Sequence, residues 1–127
     1  MLFRSLDFRD SWPVHCVAES AGAQLHSALA DVPVAAAFFK GQHSAAYSGF
    51  EGRTNDDEGL ADWLRAHDVD IIDVVGIATD YCVRATVLDA LREGFEVRVL
   101  TDLVAAVTDE TGEAALQEMV GSGAQLA

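Results

Sequence analysis

The stretch Ile71-Ile72-Asp73-Val74-Val75-Gly76-Ile77-Ala78-Thr79-Asp80-Tyr81-Cys82-Val83-Arg84 decides how this chain is read, because an apolar run passes directly into a helical pattern that opens on a cysteine. The apolar half is short, rich in β-branched residues and bounded by Gly and polar residues, which predicts a buried parallel strand. In the second half Val83, Val87, Leu88 and Leu91 share one helical face, and the pattern ends at Gly94. Thr79 or Asp80 is expected to cap the start of that helix. Cys82 then falls in the first helical turn. Unpaired N–H groups and the positive end of the helix dipole there lower a thiol pKa and can receive an oxyanion. A cysteine in that position is a candidate nucleophile for acyl transfer. On local sequence alone, a lone Cys beside an apolar strand is more often a small buried hydrophobe.

Working outward, Phe95 to Thr101 reads as the next strand, Leu103 to Val107 as a loop of small residues, and Asp109 to Val120 as a helix capped by Thr108 or Asp109. Gly121 to Ala127 points toward a further strand. Upstream, Glu58 to His67 is an amphipathic helix with Leu60, Trp63 and Leu64 on one face and Asp56, Asp57 and Glu58 near its start, where they favour the dipole. Val34 to Phe39 suits a buried strand closed by Lys40-Gly41, and Gln42 to Asn55 is a long loop of the kind that often carries function. Residues 1–20 show no periodicity and read as loop. This alternation predicts an α/β fold with a parallel sheet flanked by helices, whose sites lie beyond the carboxyl ends of the strands. Lys40 and Cys82 each follow a strand, so the topology places them at one edge of the sheet. Taken singly, Lys40 is more often a solvated strand end.

With 127 residues, half of them hydrophobic, the chain is expected to form one domain over 1–127. A formal charge of −13 argues against nucleic acid and against anionic membranes, both of which ask for basic surface. Two cysteines are too few for a disulfide framework, no charged and apolar leader opens the chain, and no apolar run approaches the roughly 20 residues of a membrane span. A reducing cytoplasm is the expected setting.

Four motifs, Trp12-Pro13-Val14-His15-Cys16, Phe39-Lys40-Gly41, Ala46-Tyr47-Ser48-Gly49-Phe50-Glu51-Gly52 and Asp73 through Val83, resemble the isochorismatase-like cysteine hydrolases, in particular the branch that acts on nicotinamide. The resemblance runs from Trp12 over nearly the whole chain, in the family's order and at about its spacing. It implies that Cys82 is the nucleophile, that Lys40 is the catalytic lysine, and that the backbone N–H groups of Ala78 and Cys82 form an oxyanion hole after a cis peptide between Ile77 and Ala78. It also implies that Trp12, Tyr47 and Ile77 line the pocket for a flat aromatic ring, and that Tyr81 stands where several relatives carry His. His15 matches a ligand of a divalent metal, zinc, iron or manganese, that holds the substrate's ring nitrogen, and imidazole suits all three. Alone, His15 reads as an ordinary loop histidine. His26, His43 and His67 match no ligand position and are expected at the surface.

Two elements of the family pattern have no counterpart in the sequence. An opening strand with Asp-x-x-x-Asp-Phe, whose first Asp completes an Asp, Lys, Cys triad, is not found, nor is a second strand leading to an Asp-x-His metal motif. Asp7 and Asp10 follow no apolar strand and read as solvated loop acids. The chain is therefore expected to be part of a longer protein lacking its first two strands, clipped also near Ala127, with 1–11 a loop or a non-native start. Such a piece should be impaired and prone to aggregate through an open sheet edge. Three functions follow from these residues. They are an amidohydrolase converting nicotinamide to nicotinic acid in pyridine nucleotide salvage, an amidase of the same fold on a carbamoyl or ureido compound, and a non-catalytic degenerate paralogue. A small-molecule substrate and a possible homo-oligomer are the expected partners.

Overall fold

The computed structural model describes residues 15–17, 19–41 and 45–127. Its ordered centre is a three-stranded parallel sheet of β1 (Ile71–Ile77), β2 (Glu96–Ala105) and β3 (Gln125–Leu126), in the order β1-β2-β3. Helix α1 (Leu60–Ala66) precedes the sheet, α2 (Arg84–Arg92) links β1 to β2, and α3 (Asp109–Gly121) links β2 to β3. This is the strand and helix alternation of parallel α/β units. The parallel sheet flanked by helices, the expected fold class, is what forms.

Val74 from β1, Val97 and Val99 from β2, Val87 and Ala90 from α2, and Ala115 and Met119 from α3 form one buried cluster, joined by Leu64 of α1. The helices thus cover one face of the sheet. On the other face Ile71, Val75 and Ile77 are exposed, and Asp73 pairs there with Arg98 through two hydrogen bonds of 2.6 and 2.7 Å. The expected buried strand is therefore covered on one face only among the described residues. A run of β-branched residues reports its preference for a pleated, packed surface, not whether a second layer is present.

Two further boundaries differ from the sequence reading. β2 does not stop at Thr101: after an irregularity that sets Val74 opposite Val99 but Gly76 opposite Val104, pairing resumes through Ala105, so the expected Leu103 to Val107 loop is mostly strand. Gly76 takes φ +114, a backbone conformation that L side chains rarely adopt, at that irregularity. Val34 to Phe39 forms no strand. Only Phe39 pairs, antiparallel with Arg53, and Val34 is 62% exposed. No neighbouring ladder among the described residues takes up the backbone groups of 34–38, and hydrophobicity alone cannot supply one.

Candidate functional site

β1 ends at Ile77, the Ile77–Ala78 peptide is cis, and the chain enters a wide turn over Thr79–Val83 before α2 begins. In that turn the Val83 N–H donates to the Ala78 carbonyl across five residues, at 3.0 Å. Cys82 therefore lies in a single π turn, not in the first turn of an α-helix, at the carboxyl end of β1. Turns of this kind are often found at functional sites. Thr79 is buried, and Cys82 and Tyr81 are half-buried.

Neither Thr79 nor Asp80 caps the turn. Ala78 occupies that position without a side-chain bond, and Asp80 reaches outward to the segment before α3. Its carboxylate accepts from the Val107 N–H at 3.0 Å and from the Thr111 hydroxyl at 2.5 Å. Partial burial pushes the Asp80 carboxyl up, but the bonds from Thr111, Val107, its own amide and Thr108 outweigh it and hold the group below its ordinary value of 3.8. Thr108 in turn caps α3, accepting from the Thr111 N–H. The cysteine turn and the start of α3 are thus tied by one carboxylate. A Thr-Asp pair before a helical pattern signals a local cap, and the distant bond partner has no local signature.

Opposite the turn stands the loop around Tyr47. Ser48 and Glu51 form a reciprocal capping box about the short 3₁₀ turn Gly49–Glu51, and Glu51 also accepts from the Tyr47 N–H at 3.0 Å. Ser-x-x-Glu is the sequence signature of that box, a signal that could have found this order in a segment expected only as a long loop. The Lys40 ammonium donates to the Tyr47 carbonyl, and the Tyr47 ring lies 5.5 Å from that of Tyr81, the residue before Cys82. The Thr86 hydroxyl donates to the Cys82 carbonyl at 2.7 Å and accepts from the Gly49 N–H at 2.8 Å. Through these contacts Lys40, Tyr47, Tyr81 and Cys82 belong to one neighbourhood, whereas Ile77 is 77% exposed on the open face of the sheet.

Trp12, Asp7, Asp10 and His43 lie outside the described residues. His15 is exposed, followed by Cys16 at φ +46. Among the described residues no three His, Cys, Asp or Glu side chains gather to hold a metal ion, so these residues do not by themselves fit the divalent ion that the His15 motif implies. His26 accepts from the Ala28 N–H, and His67 stacks on Trp63 with ring centroids 4.0 Å apart. Both have local structural roles. No described helix is long and apolar enough to cross a membrane.

A parallel sheet, a cysteine on a π turn at a strand's carboxyl end and a loop beside it that binds a lysine define an α/β domain with a candidate cysteine site at the sheet edge. The family comparison makes this specific. The isochorismatase domain family matches residues 1–127, and the chain belongs to that family. It is 48% identical over 120 residues to the nicotinamidase/pyrazinamidase of Mycobacterium tuberculosis, covering 94% of this chain and 64% of that protein. It is 44% identical to the nicotinamidase of Escherichia coli, covering 91% and 56% respectively. Among solved structures, the pyrazinamidase of Pyrococcus horikoshii in complex with zinc superposes with a TM-score of 0.73 at 38% identity, over 91% of this chain and 62% of that one. PnC1 from L. infantum in complex with nicotinate superposes with a TM-score of 0.76 at 35% identity, over 91% and 60%. The chain therefore spans roughly three-fifths of the length of these relatives.

Proposed function

We propose that this domain belongs to an amidohydrolase that converts nicotinamide to nicotinic acid and ammonia through a thioester on Cys82. The observation that carries this reading is the 48% identity to a protein named nicotinamidase/pyrazinamidase, in an alignment covering 94% of the chain and therefore spanning both Lys40 and Cys82. The π turn at the end of β1 supports it.

In the proposed reaction the Cys82 thiolate attacks the carboxamide carbon, and the carbonyl oxygen becomes an oxyanion that the backbone N–H groups of Ala78 and Cys82 receive. Collapse breaks the carbon–nitrogen bond, the nitrogen leaves as ammonia after taking a proton, and a thioester remains. Water then attacks that thioester, releasing nicotinic acid and returning the thiol. Lys40, whose ammonium donates to the Tyr47 carbonyl, is assigned as the catalytic lysine. Tyr47, with Trp12 and Ile77, is assigned to the ring of the substrate. His15 is assigned as one ligand of a divalent ion, and the acyl transfer described uses only the chain's own groups.

Ammonia release from nicotinamide by the 127-residue chain tests this reading. Release should be weaker than that of a full-length relative and absent in Cys82→Ala. Equal release from Cys82→Ala would remove Cys82 from its role, and full-length rates from the wild-type chain would overturn the expected impairment. Nicotinamide should also slow alkylation of Cys82 by iodoacetamide in a Cys16→Ser background. Activity confined to a carbamoyl or ureido compound in a small amide panel would move the substrate while keeping the nucleophile.

A further inference from the structure

We infer that Thr86 is a positioning residue for this site, its hydroxyl linking the Gly49 loop, whose Tyr47 carbonyl accepts from Lys40, to the cysteine turn. The inference rests on the proposed reading only in taking Cys82 as the reactive thiol. A threonine one turn into a helix ordinarily bonds back to the carbonyl four residues earlier, and Thr86 does so, donating to Cys82. That bond alone would be unremarked. What sets Thr86 apart is the second use of the same oxygen, which accepts the Gly49 N–H from a segment 37 residues away in sequence. A hydroxyl has one proton and two lone pairs, so one side chain holds both partners at once.

Each partner is fixed further along. Gly49 sits inside the Ser48–Glu51 capping box, adjoining Tyr47, whose carbonyl accepts from Lys40. Cys82 sits in the π turn, whose other end is tied by Asp80 to α3. Thr86 therefore stands where two internally braced pieces meet, one whose Tyr47 carbonyl accepts from the cation and one carrying the thiol. Chains of fixed hydrogen bonds of this kind set the relation of reactive groups more than they set global stability. A side chain with the same shape but no hydroxyl would keep the packing and lose the link.

The test is the rate of Cys82 alkylation by iodoacetamide at neutral pH, read in a Cys16→Ser background so that one thiol reports. Thr86→Val should slow alkylation roughly three- to tenfold, the loss expected when the cysteine turn is no longer held in a fixed relation to the loop that binds Lys40. Thr86→Ser, which keeps the hydroxyl, should retain the wild-type rate. In a Lys40→Met background Thr86→Val should add nothing, because its effect passes through Lys40. Equal slowing by Thr86→Val with and without Lys40, no slowing at all, or slowing by Thr86→Ser would each overturn the inference. If Thr86→Val does not melt cooperatively, Thr86→Ala is read in the same two backgrounds. Rapid exchange of the Gly49 amide in the wild-type protein would overturn the inference independently. None of these readouts needs nicotinamide turnover, so a chain that releases no ammonia can still confirm or reject the role of Thr86.

Discussion

The segment from Ile71 to Ala127 and the segment from His15 to Gly59 are built on different principles. The first holds three paired strands and two helices, and its apolar residues Val74, Val87, Val97, Val99, Ala115 and Met119 meet in one cluster. Among its described residues the second holds three short 3₁₀ turns and isolated bridges at Phe39, Arg53 and Gly59, and Leu25, Val32 and Val34 are exposed there. The first is held by burial, whereas the described order of the second at the site depends on individual hydrogen bonds from Ser48, Glu51 and Lys40. A site made where they meet takes its rigidity from one side and its adaptability from the other.

The contrast can be broken most severely from the packed side. Met119 is fully buried in α3, and Met119→Ala is expected to cost about 2–5 kcal/mol in denaturant unfolding. A loss under about 1 kcal/mol would mean that the cluster is not close-packed. Next comes Gly112, where an added Cβ would stand 2.4 Å from the Cβ of Ala106. Gly112→Ala should destabilise by about 1–3 kcal/mol despite alanine's better helix propensity. A net gain in stability would show that α3 and Ala106 can move apart.

On the hydrogen-bonded side, Ser48→Ala removes the cap of the Gly49–Glu51 turn and should cost about 1 kcal/mol, with faster amide exchange confined to residues near Tyr47. Exchange spreading into β1 would show that the two segments unfold together. The smallest effect is expected within the packed segment, where Asp80 ties the cysteine turn to α3. Because the folded Asp80 carboxyl titrates below its ordinary value of 3.8, its contribution is present above that pH and disappears as pH falls through the lower folded value. Asp80→Asn should lower the melting temperature modestly at neutral pH and flatten the acid limb of a melting-temperature profile. An unchanged acid limb would place the charge effect elsewhere.

The two segments also differ in how much of them the sequence reveals. From Ile71 onward, the strand at 71–77, the helix from Asp109 and the short final strand match their patterns closely, because periodic burial leaves a periodic sequence. The motifs from Trp12 to Cys82 pointed to the family to which the chain belongs. Val34 to Phe39 was apolar enough for a strand, yet pairing requires a neighbour that a sequence pattern does not specify. Asp80 read as a cap and became a cross-link to Thr111.

By itself the sequence determined the alternation of strands and helices, the place of Cys82 just after a strand, and the presence of Lys40 and Tyr47 in a candidate site. The tertiary structure alone decided that Cys82 lies in a π turn and that β1 carries helices on one face among the described residues. It also decided that Thr86 joins Gly49 to Cys82. The physical reason is one of range: hydrophobic period and capping chemistry act between residues a few positions apart, whereas these features depend on which distant backbone groups are brought within hydrogen-bond reach.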